Sequence, residues 1–330
     1  MVDATKSLSP VDHLVTQHRY RWYEALPWLA TAAVYYLLPE YLSLGARVLT
    51  MVLFALSLDL ILGYAGIVTL GHAAFFGLGA YTAGILGARG WSEPITGLIA
   101  AGGLGGLLGL VSGLVILRTH GLTLLMLTLA ILFMVQEAAN KAGFLTGGAD
   151  GLQGVVINPI LDVFRFDMFG RTAYIYCAVV LFLGWLVARQ IVHSPFGRSL
   201  TGIRENVVRM HAIGADVRGR LVTVYTISAA MAGVAGGLQA QTTQFAALNW
   251  LSFESSGAIL IMLILGGSGR LYGAFIGAPL YMIVQDVLSR IDPAYWFGYI
   301  GVLLIAVVMF AKGGVLGLLD RLRAALRRKP

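Results

Sequence analysis

Long apolar stretches alternate with short polar connections along almost the whole chain. A helix that crosses a bilayer needs about 20 mostly apolar residues, because the hydrocarbon core is about 30 Å thick. Ten stretches approach or meet this requirement, at 25–44, 46–63, 70–88, 95–117, 121–140, 172–190, 220–241, 253–268, 271–290 and 295–312. The pattern predicts an all-α integral membrane protein, a polytopic bundle of about ten transmembrane helices. Some Gly-rich members are expected to be short or broken, and eight or nine spans remain possible if these do not cross.

The composition agrees with a membrane protein and limits the other classes. Of the 330 residues, 58% are hydrophobic and only 12% are charged, whereas a soluble domain carries about 25% charged residues. The net charge is +7, but the basic residues lie mostly in connections and tails, which indicates topology and not nucleic-acid binding. Cys177 is the only cysteine, so an intrachain disulfide is excluded and no Cys/His pattern of a metal site is present.

The distribution of basic residues predicts the orientation. With the N-terminus inside, the segments that would face the cytoplasm hold 17 of the 23 Lys and Arg residues, as the positive-inside rule requires. We therefore expect both termini in the cytoplasm. The expected division is a cytoplasmic N-terminal segment at 1–24, a single transmembrane domain at 25–312 and a basic cytoplasmic tail at 313–330. The first apolar run is long enough to span, which predicts an uncleaved first helix.

Two long polar connections interrupt the apolar pattern. Residues 141–171 contain the turn-favouring run from Thr146 to Gly151 and are predicted to lie in the periplasm. Residues 193–220 carry many charged side chains and are predicted to lie in the cytoplasm. The part from Arg198 to His211 is expected to contain a short amphipathic surface helix.

Glycine is abundant, at 42 residues. Several glycines recur at a spacing of four, namely Gly102 with Gly106, Gly105 with Gly109, and Gly233 with Gly237. Small residues at this spacing let two helices approach closely in lipid. We expect most of these glycines to serve helix packing.

The stretch from Gly63 to Tyr81 combines five glycines, a histidine and several aromatic residues where one apolar segment ends and the next begins. Hydrophobic segments interrupted by glycine often mark places where the backbone lines a cavity. This stretch resembles a signature of the membrane subunits of branched-chain amino acid ABC importers. It is more similar to the M-type subunit (the LivM family) than to its H-type partner. Three further blocks agree in order, namely Phe144–Leu152, Ser194–Gly214 and Leu265–Gly273.

The resemblance implies a permease subunit of an ATP-binding cassette importer in the bacterial inner membrane, with a type II-like fold. Such a subunit forms half of the translocation pathway for branched-chain or related amino acids. The implied partners are a homologous H-type permease, two ATPase subunits and a periplasmic solute-binding protein. No Gly-Lys pair of a phosphate-binding loop occurs in the chain, so we expect partner subunits to bind ATP and Mg²⁺. The chain itself is then no enzyme and holds no cofactor or metal.

The Gly63–Tyr81 stretch supplies the candidate residues of the pathway, and the resemblance of the 193–220 segment to a cytoplasmic coupling segment supplies those of coupling. Those of the translocation pathway are Gly66, Gly71, His72, Phe75, Phe76, Gly77 and Tyr81. Those that couple the chain to the ATPase are Arg198, Arg204, Glu205, Asn206, Arg209 and Gly214. The sequence departs from the family at Val207 and Val208, where many members carry a small residue. For His72, an interhelical hydrogen bond is an equally weighted alternative to pore lining.

Other functions remain open at this point. A permease of the same kind for urea, amides, aromatic acids or other carboxylic acids fits the same residues. An ion-coupled secondary transporter would need a relay of buried ionisable residues. Asp59 and His72 alone are weak evidence for such a relay. An intramembrane enzyme would need facing catalytic side chains, and no such pair stands out. We favour a structural partner for Asp59, and Gln239, Gln241, Thr242 and Thr243 are candidates for the periplasmic mouth.

Overall fold

A computed structural model describes residues 22–159, 170–293, 295–310 and 313–318. Most of residues 1–24 and 313–330, with Arg165 of the predicted periplasmic loop, therefore lie outside the described residues. The described chain is helical and contains no strand, apart from an isolated antiparallel bridge between Leu152 and Ala246. Its helices are α1 (Leu26–Leu37), α2 (Leu42–Asp59), α3 (Ala73–Ala88), α4 (Pro94–Ile116), α5 (Leu122–Lys141), α6 (Gly143–Thr146), α7 (Arg171–His193), α8 (Pro195–Glu205), α9 (Val207–Ala212), α10 (Val217–Thr243), α11 (Phe253–Gly266), α12 (Gly273–Ile291) and α13 (Trp296–Phe310).

Each of the ten predicted spans overlaps one of these helices, namely α1 to α5, α7 and α10 to α13. Within the described residues, 6 helices are long and apolar enough to cross a membrane. These are Pro39–Tyr64, Pro94–Ile116, Leu122–Lys141, Arg171–His193, Val217–Thr243 and Gly273–Ile291. Helices α1, α3, α11 and α13 are shorter, with 12, 16, 14 and 15 residues. A multi-pass membrane protein is therefore established, whereas the count of ten spans stays a prediction.

The predicted first span at 25–44 is wrong in its boundary. The helix ends at Leu37, and Leu38 adopts φ −130° and ψ 60°. The reason is Pro39, because proline disfavours helical geometry in the residue before it and cannot donate a backbone hydrogen bond. A second helical segment begins at Pro39 and continues to Tyr64. The predicted second span is thus several residues longer than the sequence indicated.

Helix α10 packs along α4 through glycine, as the small-residue spacing predicts. A Cβ atom on Gly105 would lie 2.9 Å from the Ala229 carbonyl oxygen and 3.1 Å from the Gly233 Cα atom. Gly79 of α3 meets Gly233 from another side. Backbones at this distance gain dispersion contacts that side chains would prevent, which is how helices associate in lipid. The packing role predicted for these glycines is confirmed.

Helix α7 joins the first two helices of the chain. Its C-terminal end carries Arg189, whose Nε donates to the Glu24 carboxylate at 3.1 Å, and both side chains are buried. Near its N-terminal end, Cys177 is fully buried and lies 3.5 Å from the Thr50 hydroxyl of α2. Cys177 is thus a core residue and does not face lipid. A buried ion pair without one partner would leave an uncompensated charge, so Glu24 and Arg189 depend on each other.

Several connections that the charge distribution assigns to the same side of the membrane contact one another. At one end, the Leu152 N–H donates to Ala246 O at 2.8 Å and the Asn158 N–H donates to Ser92 O at 2.8 Å. At the other end, the segments around residues 66, 204 and 269 meet. Positions predicted to share a side of the membrane are therefore neighbours in space.

The predicted periplasmic mouth is largely buried in the single chain. Gln241 is 1% exposed, accepts from the Tyr176 hydroxyl at 2.9 Å and donates to Pro94 O at 2.8 Å. Gln239 is buried as well, and Thr242 and Thr243 both donate to carbonyl groups of their own helix. Gln241 therefore ties α10 to α7 and to the start of α4.

Candidate functional site

The helix that contains Asp59 ends in an irregular way. Residues Leu60–Tyr64 form a π-helical turn, and the next helix begins only at Ala73. Gly66 has a φ of +75°, which ends the helical path because other residues rarely adopt this conformation. π-helical turns occur frequently at functional sites. The Gly63–Tyr81 stretch is thus a broken helix pair, as its glycines predict.

Side chains from other helices satisfy the backbone that the break sets free. The Leu70 N–H donates to the Thr128 hydroxyl of α5 at 3.4 Å, and the Ala73 N–H donates to the Ser256 hydroxyl of α11 at 3.1 Å. Non-helical backbone is tolerated within a bilayer only where protein groups or water replace the lost hydrogen bonds. Thr128 and Ser256 therefore hold the break in place.

His72 lies immediately before α3 and is 1% exposed. Its Nε2 atom lies 2.9 Å from the Ser57 hydroxyl of α2, and its ring stacks on Phe54 with ring centres 5.5 Å apart. The Ser57 carbonyl in turn accepts from the Ser228 hydroxyl of α10. His72 thus makes the interhelical hydrogen bond that was one of its two interpretations, and it joins α2, α3 and α10.

The other candidates in α3 are packed against neighbouring helices. Phe76 stacks on Phe54 with ring centres 4.5 Å apart, and Phe75 meets Tyr225 of α10 edge to face at 5.5 Å. The Cβ of a larger residue at Gly77 would collide with Leu251, and at Gly71 with the Thr128 carbonyl. Within one chain, these side chains form a packed interior and not an open channel.

Of the seven predicted pathway residues, Gly66 alone is exposed, and Gly71, His72, Phe75, Phe76, Gly77 and Tyr81 are buried in the single chain. Their assignment to the pathway stays a prediction.

Gly66 lies directly against a predicted coupling residue, Arg204 of α8. A Cβ on Gly66 would lie 2.8 Å from the Arg204 Cγ atom, and the Arg204 guanidinium donates to the Gly63 carbonyl. The structure therefore joins two sites that the sequence assigned to separate tasks. We refer to Asp59, Gly63, Gly66, Arg204 and Gly269 together as the coupling node.

Asp59 forms the other half of the coupling node. It is 0% exposed, and its Oδ1 atom accepts from the Gly269 N–H at 2.7 Å. A Cβ on Gly269 would lie 3.0 Å from the Arg204 Nη1 atom. Asp59 thus has the structural partner that its burial predicts. In the coupling node, the Asp59 carboxylate is bonded to Gly269 and the Arg204 guanidinium is bonded to Gly63.

The predicted coupling loop contains two helices and the start of a third. Ser194 caps α8 by accepting from the Gly197 N–H at 3.2 Å, and Asn206 caps α9 by accepting from the Arg209 N–H at 2.9 Å. Asp216 caps α10 in the same way, accepting from the Gly219 N–H at 3.0 Å. Serine, asparagine and aspartate at these positions satisfy the free N–H groups of a helix start. The sequence predicted a single short surface helix in this loop, whereas the structure contains two.

Gly214 ends α9 with a φ of +78°, the conformation in which glycine commonly terminates a helix. The predicted coupling residues Arg198, Arg204, Glu205, Asn206, Arg209 and Gly214 are all exposed on this surface. Three apolar side chains lie among them, with exposures of 42% at Val207, 78% at Val208 and 71% at Ile213. Adjacent exposed apolar residues with a polar rim are typical of a protein interface. Val207 and Val208, which depart from the family pattern, thus form part of this exposed apolar surface.

The coupling node and the hydrogen bonds around the break include residues that the sequence did not single out as a group. Gly269 belongs to the Leu265–Gly273 block, and Ser57, Thr128 and Ser256 are isolated polar residues within apolar helices. Polar residues inside a membrane are energetically costly unless they are hydrogen-bonded. Each of these residues therefore indicated that it has a hydrogen-bonding partner. The partner itself depends on how helices far apart in the sequence cross.

Comparison with known proteins gives consistent results. The profile of the family described as branched-chain amino acid transport system / permease component matches residues 41–311. The LivM high-affinity branched-chain amino acid transport system permease protein of Escherichia coli K12 is 27% identical over 297 residues, which is 81% of this chain and 68% of the relative. A probable LivM permease of Methanocaldococcus jannaschii is 26% identical over 322 residues, 79% of this chain and 89% of the relative.

A more distant relative covers about half of the chain. The autoinducer 2 import system permease protein LsrC of Escherichia coli O9:H4 is 28% identical over 170 residues, 49% of this chain and 46% of the relative. No solved structure matches the chain. The family profile covers both the broken helix pair and the coupling segment. The chain therefore belongs to the family of branched-chain amino acid transport permease components, as a multi-pass permease subunit of an ABC importer in the inner membrane and not an enzyme.

Proposed function

We propose that the chain forms half of the translocation pathway for branched-chain or related amino acids, as a type II-like bundle of about ten spans. A homologous H-type permease supplies the other half, two ATPase subunits bind ATP and Mg²⁺, and a periplasmic binding protein delivers the substrate. The observation that carries the proposal is the coupling node. It connects the exposed α8–α9 surface with the break between α2 and α3.

In this proposal, the coupling node transmits movement from the ATPase to the translocation pathway. Movement of α8 with the ATPase displaces Arg204, whose guanidinium is bonded to the Gly63 carbonyl. Gly63 and Gly66 flank the π-helical turn, where the backbone already departs from regular helix. Since irregular backbone absorbs changes in φ and ψ, the break acts as the hinge. The packed segment from Gly71 to Tyr81 would then move as the wall of the pathway.

The orientation follows from the charge distribution and has its own test. Reporter fusions at Asp150 and at Arg204 should report the periplasm and the cytoplasm, respectively. The physical reason is that basic residues near short loops resist transfer across the membrane. Fusions at Ser92 and Gly269 serve as controls, because the structure places them beside the same two ends. Asp150 and Arg204 on one side would contradict the model.

The exposed apolar patch of α9 should contribute to ATPase docking. Replacing Val208 and Ile213 with Asp should weaken association with the ATPase by about ten-fold or more, because charges would enter a desolvated contact. Co-purification of the ATPase with the permease pair measures this. The matched control is Val156→Asp, at a residue that is 59% exposed at the opposite end. Equal loss in the control, or none in the double variant, would show that the patch does not dock.

The substrate is tested in the assembled importer. Binding of leucine, isoleucine and valine by the cognate periplasmic protein should match their ATP-dependent uptake into proteoliposomes. Binding of urea, amides or aromatic acids in their place would assign another substrate to the same machine. Uptake that persists with an inactive ATPase and follows an ion gradient would identify a secondary transporter.

A further inference from the structure

A large open groove lies at the predicted cytoplasmic end of the bundle. Its volume is about 1270 Å³, which exceeds the roughly 300–1,000 Å³ of common small-molecule sites. The walls come from the break after α2, the turn between α4 and α5, helices α8 and α9, the start of α10 and the end of α11. The groove therefore borders α8 and the break, the two parts that the proposed coupling would move.

The lining of the groove combines apolar and basic residues. Its interior is formed mostly by aliphatic side chains, including Leu125, Leu221, Leu260 and Ile264. All of its ionisable residues are basic, namely Arg118, His120, Arg204, His211 and Arg218, and no Asp or Glu of the described chain lines it. Such a groove favours an occupant with an apolar body and an anionic end.

The chemistry and the position decide between two kinds of occupant. A free amino acid is much smaller than the groove, and its ammonium group would find no carboxylate there. An anionic lipid matches the apolar interior with its acyl chain and the basic rim with its headgroup. Basic pockets between transmembrane helices on the cytoplasmic side bind anionic headgroups in this way, and that leaflet carries negative charge.

We propose that the groove binds one anionic phospholipid of the cytoplasmic leaflet. The headgroup lies on Arg118 and His120 in the turn between α4 and α5, with Arg218 beside them, and an acyl chain lies along Leu221 and Leu260. Both turn residues are exposed, whereas Arg218 also donates to Leu114 O at 3.0 Å. The lipid would thereby occupy the space between the coupling segment and the broken helix.

Native mass spectrometry of the assembled complex tests this, with phosphatidylglycerol and phosphatidylcholine as probes. Phosphatidylglycerol should bind more tightly, and Arg118→Gln with His120→Gln should weaken its binding about five-fold or more, since an arginine near an anionic surface contributes roughly five-fold and His120→Gln removes the imidazole N–H as a further hydrogen-bond donor. The charge-retaining variant Arg118→Lys should bind normally. A control, Arg89→Gln with Lys141→Gln, removes two exposed basic residues at the opposite end and should have no effect.

Four results would overturn the proposal. Equal loss in the control variant, or equal binding of both lipids, would mean non-specific lipid association. Competition by inorganic phosphate at the headgroup concentration would identify a site for a free anion. Competition by leucine would identify the groove as part of the substrate path. Reporter fusion at Arg204 fixes the orientation separately, so failure of the lipid site is distinguishable from failure of the proposed topology.

Discussion

Replacing Gly233 with Leu should abolish accumulation of the folded permease. Gly233 lies where α10 meets both α3 and α4, and its Cβ would lie 2.5 Å from the Ala101 carbonyl oxygen and 3.2 Å from the Gly105 Cα atom. These neighbours are backbone atoms, which cannot rotate away as a side chain would. Overpacking a well-packed interior usually costs about 1–3 kcal/mol, and we expect a loss above that range. Detergent-solubilised yield and thermal unfolding of the chain measure it.

The matched control is Gly103→Leu in α4. No atom would lie within 4 Å of a Cβ at this position, and the residue is exposed. The two substitutions add the same volume to the same kind of backbone, so only the surroundings differ. Normal yield and stability for Gly233→Leu would show that α10 does not pack on α3 and α4 as described.

Replacing Arg204 with Ala should uncouple ATP hydrolysis from transport while the complex still assembles. The substitution removes the hydrogen bond to the Gly63 carbonyl, and hydrogen bonds that involve a charged group contribute about 1.5–3 kcal/mol. We therefore expect uptake to fall by about ten-fold or more. Proteoliposome uptake and substrate-stimulated ATPase activity, measured on one preparation, report the two effects.

Two further variants separate coupling from general loss of charge. Arg204→Lys keeps the charge but has a single donor group in a different geometry, so partial uptake is expected. Arg220→Ala removes a basic residue from the same predicted cytoplasmic segment but outside the node and should transport normally. Normal uptake with Arg204→Ala, or an equal loss with Arg220→Ala, would exclude the node as the coupling route.

Helix existence was predictable because it depends on local composition. The apolar runs identified the ten segments in which helices occur, since a helix satisfies its own backbone within lipid. The glycines at a spacing of four predicted close helix packing for the same local reason, whereas the pairing of α4 with α10 came only from the structure. Boundaries were less predictable. Because the stretch 25–44 is mostly apolar, its hydropathy did not show that the first helix ends before Leu38. Pro39 was the local sequence signal for this helix end.

The sequence predicted individual residues of the candidate site, but not which of them contact one another. The sequence singled out Gly66 and Arg204, yet it assigned them to different tasks. Their contact joins positions that are 138 residues apart in the chain, and nothing local specifies such a pair. In the same way, Asp59 signalled a partner through its burial cost, but the Gly269 N–H was found only where two connections meet.

By itself, the sequence determined that the protein is a multi-pass membrane protein, where its chain is broken by glycine and which connections carry positive charge. These properties follow from residue types and their spacing, which act over one or two helical turns. The tertiary structure alone decided that His72, Phe75 and Phe76 are packed inside the chain and that Arg204 reaches the break after α2. Burial and contact depend on how helices cross, because side chains distant in sequence compete for the same space.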